Sequence, residues 1–223
     1  MRLLGAKLDD AAISIMLNAG KLEFVLGRAQ AYDGALRGRA SLQALDGDRV
    51  EAKLQANIEN VDAGAALNDL LGKRLLSGRA QGHVQVETNG RSPAEFVQQL
   101  SGKAAAQVKE GEINGVSLLD AARRSDRLSN SAVELGRGRT PFASLDVASQ
   151  IARGVADVIE ATLTSAGVTA RASGEASLVN QTLRLDGRAR ATGLPIDGLP
   201  FSLRGAFRLP ELRWDLAQPF KRS

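Results

Sequence analysis

Alternation of apolar and polar side chains is the dominant pattern in this sequence. Across residues 168–178, every even position is apolar or glycine and every odd position is polar. A period of two residues is typical of a β-strand with one face buried and the other in water. Residues 183–191 continue the pattern, with apolar residues at odd positions, and residues 179–181 separate the two stretches. Together they predict a β-hairpin.

The same alternation recurs along the whole chain and predicts about a dozen strands. Strong alternation marks residues 36–44, 50–58, 76–86, 143–151, 155–163 and 201–209, and weaker alternation marks 13–17, 22–26 and 104–108. Most connections are short and rich in Gly, Asn and Asp, which favours hairpin turns. The sequence therefore predicts a mainly β protein whose consecutive strands pair.

Three short helices are predicted between the strands, each from its own start and stop signals. Ser92 and Glu95 form a capping box at the start of the clearest one. A second begins at Asp62 and ends at Gly72, and a third begins at Ser117. Because short helices are not stable alone, we expect them to pack on the apolar face of the sheet or at its open end.

The predicted apolar face has unusually small side chains, since many of its positions are Ala or Gly. A β-sandwich normally fills the roughly 10 Å between its sheets with large side chains. Three explanations are open: the small residues let the sheet curve, they let the helices approach closely, or they leave a trough for a ligand. An apolar ligand would relieve the cost of an exposed groove, roughly 25 cal/mol per Å².

The chain has the composition of a folded protein, with 43% hydrophobic and 24% charged residues in 223. We predict a single domain over residues 1–223. Residues 123–138 interrupt the alternation as a polar loop of mixed charge, so the alternative is two sub-units, 1–122 and 139–223, joined by that loop. The alternation begins within the first residues, and we therefore expect the chain to be a fragment of a longer protein.

The sequence contains no pattern of residues typical of catalysis or metal binding. It has no cysteine and a single histidine, His83, so thiolate sites, zinc sites and His-dependent triads lack partners. We predict that the protein is not an enzyme and has no cofactor and no metal site. Its 29 basic and 25 acidic residues are scattered among few aromatics, which argues against nucleic acid as a partner.

Two segments carry a characteristic order of motifs. The first, residues 92–123, reads SPAEFVQQLSGKAAAQVKEGEINGVSLLDAAR, a helix followed by L-S-G, a strand and a G-x-I-x-G element. The second, residues 140–194, contains a T-x-F-x-x-L strand followed by the hairpins described above. Both segments resemble the C-terminal region of AsmA-like proteins of the Gram-negative envelope. The resemblance implies a long, strongly curved antiparallel sheet, a β-trough or taco-like groove, with a few short capping helices.

The resemblance also implies a function. We expect a non-enzymatic, periplasmic lipid-handling domain whose apolar groove accommodates phospholipid acyl chains in outer-membrane biogenesis or intermembrane lipid transport. An N-terminal helix absent from this chain would tether it to the inner membrane. The expected partners are phospholipid or another acyl-chain ligand, and envelope assembly proteins. The alternative is a structural or interaction module that regulates assembly of outer-membrane proteins without bound lipid.

The predicted lining of the groove consists of inward positions on three neighbouring predicted strands. Its members are Val155, Ile159, Leu163, Val168, Ala170, Ala172, Ala176, Leu178, Leu183, Leu185 and Ala189.

Overall fold

A computed structural model of the chain describes residues 2–3, 6–7, 11–115, 117, 132–133, 138–192 and 198–214. The early strands are β1 (Arg2–Leu3), β2 (Ala6–Lys7), β3 (Ile13–Asn18), β4 (Lys21–Ala31), β5 (Gly34–Leu45), β6 (Arg49–Asp62), β7 (Leu76–Gly90) and β8 (Ser101–Asn114). The later ones are β9 (Ala132–Val133), β10 (Arg139–Ala152), β11 (Val155–Thr164), β12 (Val168–Ser177), β13 (Thr182–Ala191), β14 (Leu199–Ala206) and β15 (Leu209–Trp214). The helices are α1 (Ala63–Leu71) and α2 (Pro93–Gln98).

Thirteen of these strands form a single antiparallel sheet in the order β3-β4-β5-β6-β7-β8-β10-β11-β12-β13-β14-β15-β9. Apart from β9, neighbours in the sheet follow chain order, as expected for a series of hairpins. The sheet is not closed, because β3 and β9 are its two edges. The prediction of a mainly β protein built on a long antiparallel sheet is confirmed.

The predicted strands are present, with one clear correction near the end of the chain. Residues 201–209 do not form one strand: β14 ends at Ala206, residues 207–208 form a turn, and β15 begins at Leu209. The amide of Phe207 donates to the carbonyl of Gln181, which fixes that turn beside the preceding hairpin. The odd positions stay apolar or glycine through this turn to Leu209. The alternation therefore does not mark the end of β14.

Two of the three predicted helices are confirmed. Asp62 caps α1 by accepting from the amide of Ala65 at 2.9 Å, and Gly72 ends that helix in a left-handed conformation at φ 70°. Ser92 caps α2 by accepting from the amide of Glu95 at 3.2 Å. The third predicted helix, after Ser117, lies outside the described residues.

The strand register places apolar residues on one face of the sheet without interruption. Residues directly opposite each other on neighbouring strands share a face. One such row across twelve strands consists of Ile15, Phe24, Ala40, Leu54, Val86, Gly102, Ile151, Ala156, Ala176, Leu183, Gly205 and Pro210. A row on the other face consists of Arg39, Gln55, Gln85, Lys103, Gln150, Asp157, Glu175, Arg184, Arg204 and Glu211.

The buried core lies at one end of the later strands. It joins Ala63 of α1, Val108 of β8 and Phe142 of β10 to Leu199 of β14 and Trp214 of β15 in one cluster. The strands β8 and β15 are separated by β10, β11, β12, β13 and β14 in the sheet. Residues of both strands can join one cluster when the sheet curls so that its apolar face is on the inside.

The sheet runs across the division between the two predicted sub-units. Strand β8 pairs with β10 from Asn114 opposite Arg139 to Gly102 opposite Ile151. Within the predicted polar loop, the described residues 132–133 form β9 on the edge beside β15. Whether the two parts fold as one unit stays a prediction.

Candidate functional site: an apolar groove

The apolar face is open to solvent over the first strands of the sheet. The exposed fraction of Ile15 is 62%, that of Leu17 is 76%, and Leu42 and Leu54 are 38% and 40% exposed. Ile15 and Leu17 are opposite Phe24 and Leu22, and Leu42 and Leu54 are opposite Ala52 and Ala40, so all four lie on the apolar face. Among the described residues, no second layer covers this part of the sheet.

Over the later strands the curled sheet surrounds a cavity of about 470 Å³. Most of its wall is aliphatic or aromatic, with polar and charged groups in the minority. The lining residues are Lys73, Leu75, Ile113, Asn114, Gly115, Leu145, Val147, Ala161, Leu163, Ala170, Arg171, Ala172, Leu185, Phe201, Leu203, Arg208, Leu209, Pro210 and Leu212. This volume falls within the roughly 300–1,000 Å³ typical of small-molecule sites.

Small residues in the floor of the cavity account for its depth. Ala161 is opposite Ala172, Ala172 is opposite Gly187, and Gly187 is opposite Phe201 across four neighbouring strands. A Cβ at Gly187 would lie 2.6 Å from Cζ of Phe201, so only glycine lets that ring lie over the backbone. The Phe201 ring also packs edge-on against Trp214, with centroids 5.8 Å apart.

The structure brings four of the predicted lining residues together in the wall of this cavity. Leu163, Ala170, Ala172 and Leu185 all border it, on three neighbouring strands. Leu163 is directly opposite Ala170, and both are largely buried. The hairpin formed by β12 and β13 is therefore part of the cavity wall.

Five other predicted residues lie elsewhere on or beside the apolar face. Val168 and Ala189 are 3% and 2% exposed and belong to the core cluster, so the protein's own packing seals them. Ala176 and Leu183 face the same side but lie beyond the cavity. Leu178 is in the turn after β12, where its amide donates to the carbonyl of Gly154.

Two predicted lining positions, Val155 and Ile159, do not fit the predicted alternation because β11 contains a bulge. Val158 pairs with Ser149 and Glu160 with Ala148, which leaves Ile159 as the extra residue, 54% exposed. The bulge reverses the phase of the strand. Its earlier half places Ala156 and Val158 on the apolar face, and Val155, opposite Ser177, lies on the polar face.

Sequence reasoning missed several large side chains of the cavity wall, which come from β10, β14 and β15. They are Leu145, Val147, Phe201, Leu203 and Leu212. The alternation already placed the first four in predicted strands, so their face could have been inferred. No local signal shows that these strands close around the same cavity as β12 and β13.

The opposite, polar face holds His83, the single histidine of the sequence. His83 lies there with Asp146 and Glu160 beside a shallow depression. Within the described part of the chain, no group of three or more His, Cys, Asp or Glu side chains could hold a metal ion. In the same residues, no helix combines the length and hydropathy needed to cross a bilayer.

Comparison with known proteins agrees with the fold. A model of the AsmA family matches residues 2–161, which contain the whole of the segment 92–123 and part of the segment 140–194. No curated protein and no solved structure matches the chain significantly. The family model covers more than half of the 223 residues. The chain therefore belongs to the AsmA family.

Proposed function

We propose that this protein is a non-enzymatic lipid-handling domain whose apolar groove accommodates phospholipid acyl chains. In this proposal it works in the periplasm, in outer-membrane biogenesis or in lipid transport between the two membranes. Membership of the AsmA family fits a role in the envelope. The observation that carries the proposal is the apolar face of the sheet, which is exposed over the first strands and lines a cavity over the later ones.

The physical argument rests on the cost of exposed apolar surface. Soluble proteins rarely leave large contiguous apolar patches in water unless a partner, a ligand or a membrane covers them. Ile15, Leu17 and Leu54 leave 62%, 76% and 40% of their surface exposed, at a cost of roughly 25 cal/mol for each apolar Å² left in water. Acyl chains lying along the face would cover it without specific polar contacts.

The groove needs no single essential side chain for this function. The binding free energy of an acyl chain depends on the apolar area that it buries and not on directional contacts, since the hydrophobic effect is non-directional. A ligand could therefore move along the apolar face from the open strands β3–β6 toward the cavity. This continuity is what a conduit for lipid requires.

The test is native mass spectrometry of the purified protein, with lipid extraction from the same sample. We expect phospholipid to accompany the folded protein and to be displaced by added fatty acid. A well-folded protein that carries no lipid and takes up none from vesicles would contradict the proposal.

The second candidate is an interaction module for envelope assembly proteins, without bound lipid. The observation in its favour is the edge strand β3, whose one partner among the described strands is β4 and whose Ile15 and Leu17 are exposed. Substitution of Ile15 and Leu17 by Ser distinguishes the two. Lipid content that is unchanged together with loss of a cross-linked protein partner would favour the interaction module.

A further inference from the structure

The described wall of the cavity carries positive charge. Lys73, Arg171 and Arg208 border the cavity, and no Asp or Glu among the described residues does. The chain as a whole is nearly balanced, with 29 basic and 25 acidic residues. An apolar cavity whose described charged neighbours are cations favours a ligand that is both apolar and anionic.

Lys73 and Arg208 are free to contact such a ligand. Many exposed cations in the described part of the chain are paired, for example Arg204 with Asp186 at 2.9 Å. Lys73 and Arg208 form no ion pair or hydrogen bond with any described residue. The side chain of Arg171 follows the strand alternation toward the polar face, so it is the weaker candidate.

The two cations come from distant parts of the sheet. Lys73 precedes β7, in the connection from α1, and Arg208 lies in the turn between β14 and β15. Strands β7 and β15 have six others between them in the sheet. Both side chains are exposed, whereas Leu163 and Leu212 of the wall are buried. A charged border therefore adjoins an apolar interior.

We propose that the groove selects amphiphiles with an anionic head group, a phosphate or a carboxylate. The acyl chain fills the cavity, and Lys73 and Arg208 hold the head group at its border. Arg presents a fork of donors that matches phosphate and carboxylate oxygens, and Lys adds a point charge. This inference rests on the acyl-chain function proposed above.

The experiment compares ligands that share one acyl chain and differ in head group. The probes are palmitoyl lysophosphatidic acid, which is anionic, and monopalmitoylglycerol, which is neutral, both below their critical micelle concentrations. Trp214 is the single tryptophan of the chain and contacts Phe201 of the cavity wall, so its fluorescence reports occupancy. Native mass spectrometry of the same mixtures provides a second readout.

We expect the anionic probe to bind roughly tenfold more tightly than the neutral one at low salt, with the preference falling as salt rises. The double substitution Lys73→Glu and Arg208→Glu should abolish or reverse the preference and leave binding of the neutral probe unchanged. The matched control is Lys103→Glu with Arg184→Glu, an equal charge change on the polar face. This control should keep the preference.

The outcomes separate this inference from the proposed function. Equal binding of both probes by the unchanged protein, or equal loss of preference in both double variants, would overturn the anionic selection and leave acyl binding intact. Failure of both probes to bind would contradict the proposed function itself. Inorganic phosphate alone should leave the fluorescence unchanged; saturation by phosphate would refute recognition of an amphiphile.

Discussion

At the scale of single residues, Gly187 controls the shape of the cavity wall. A Cβ at this position would meet the ring of Phe201 and would lie 2.9 Å from Cβ of Ala172. We expect Gly187→Ala to lower the free energy of unfolding by about 1–3 kcal/mol, because the ring or the strand must shift. Thermal or urea unfolding measures this loss. Gly27→Ala is the control, since the nearest atom to its Cβ would be 3.8 Å away, and it should be nearly neutral.

Tyr32 offers a second test at the residue scale because it is the single tyrosine. Burial, together with a 2.9 Å hydrogen bond from its hydroxyl to Oδ2 of Asp69, raises the pKa of Tyr32 above its ordinary value of 10.0. The contact stabilises the neutral phenol, so its contribution is present below about pH 10 and is lost as the pH rises through the raised pKa. Ultraviolet titration should show a lower pKa in Asp69→Asn. An unchanged pKa would exclude Asp69 as a cause.

At the scale of elements, the hairpin of β12 and β13 uses one alternating pattern for two purposes. Ala172 lies in the open cavity wall, whereas Ala189 is 2% exposed in the core. We expect Ala172→Trp to reduce lipid content with the fold retained, because the indole fills the space of the ligand. Ala189→Trp should destabilise the protein by about 1–3 kcal/mol or more, because the core has no room. Native mass spectrometry and thermal unfolding of both variants give the comparison.

Equal destabilisation by these two substitutions would show that the cavity is ordinary close packing. Retained lipid content in Ala172→Trp would count against a lining role for that strand.

The elements also show which strands the local alternation predicts and where that prediction fails. The alternation predicts β5, β6, β12 and β13 because the period of two directly records which face each residue occupies. It fails at Ile159, where one extra residue reverses the phase of β11, and at the turn after Ala206. Neither site contains an Asn-Gly or Asp-Gly turn motif. A bulge also depends on the register of both neighbouring strands.

At the scale of the whole molecule, pairing of β8 with β10 makes the sheet continuous across the predicted loop. The register between them extends from Asn114 opposite Arg139 to Gly102 opposite Ile151. We expect a protease cut within residues 123–131 to leave two fragments that elute together and unfold in one transition. Their backbone pairing and shared core cluster would hold them together. Separate elution of two folded fragments would instead support two sub-units.

The sequence by itself determined the strands, their order as hairpins and the apolar face that each presents. These follow from local alternation and turn chemistry, which depend on neighbours along the chain and across one turn. Family resemblance added the expectation of a curved sheet. From the same pattern, Ala170, Ala172, Leu183 and Ala189 are indistinguishable, since all are inward positions on one hairpin.

Only the tertiary structure decided which inward positions are sealed, which line the cavity and which face water. That outcome depends on the curl that brings Ala63 of α1 and Val108 of β8 into one cluster with Trp214 of β15, elements far apart in the chain. The same curl places Lys73 and Arg208 at one cavity. Long-range approach of this kind leaves no periodic trace in the sequence, because it is set by the summed twist and bulges of all the strands between.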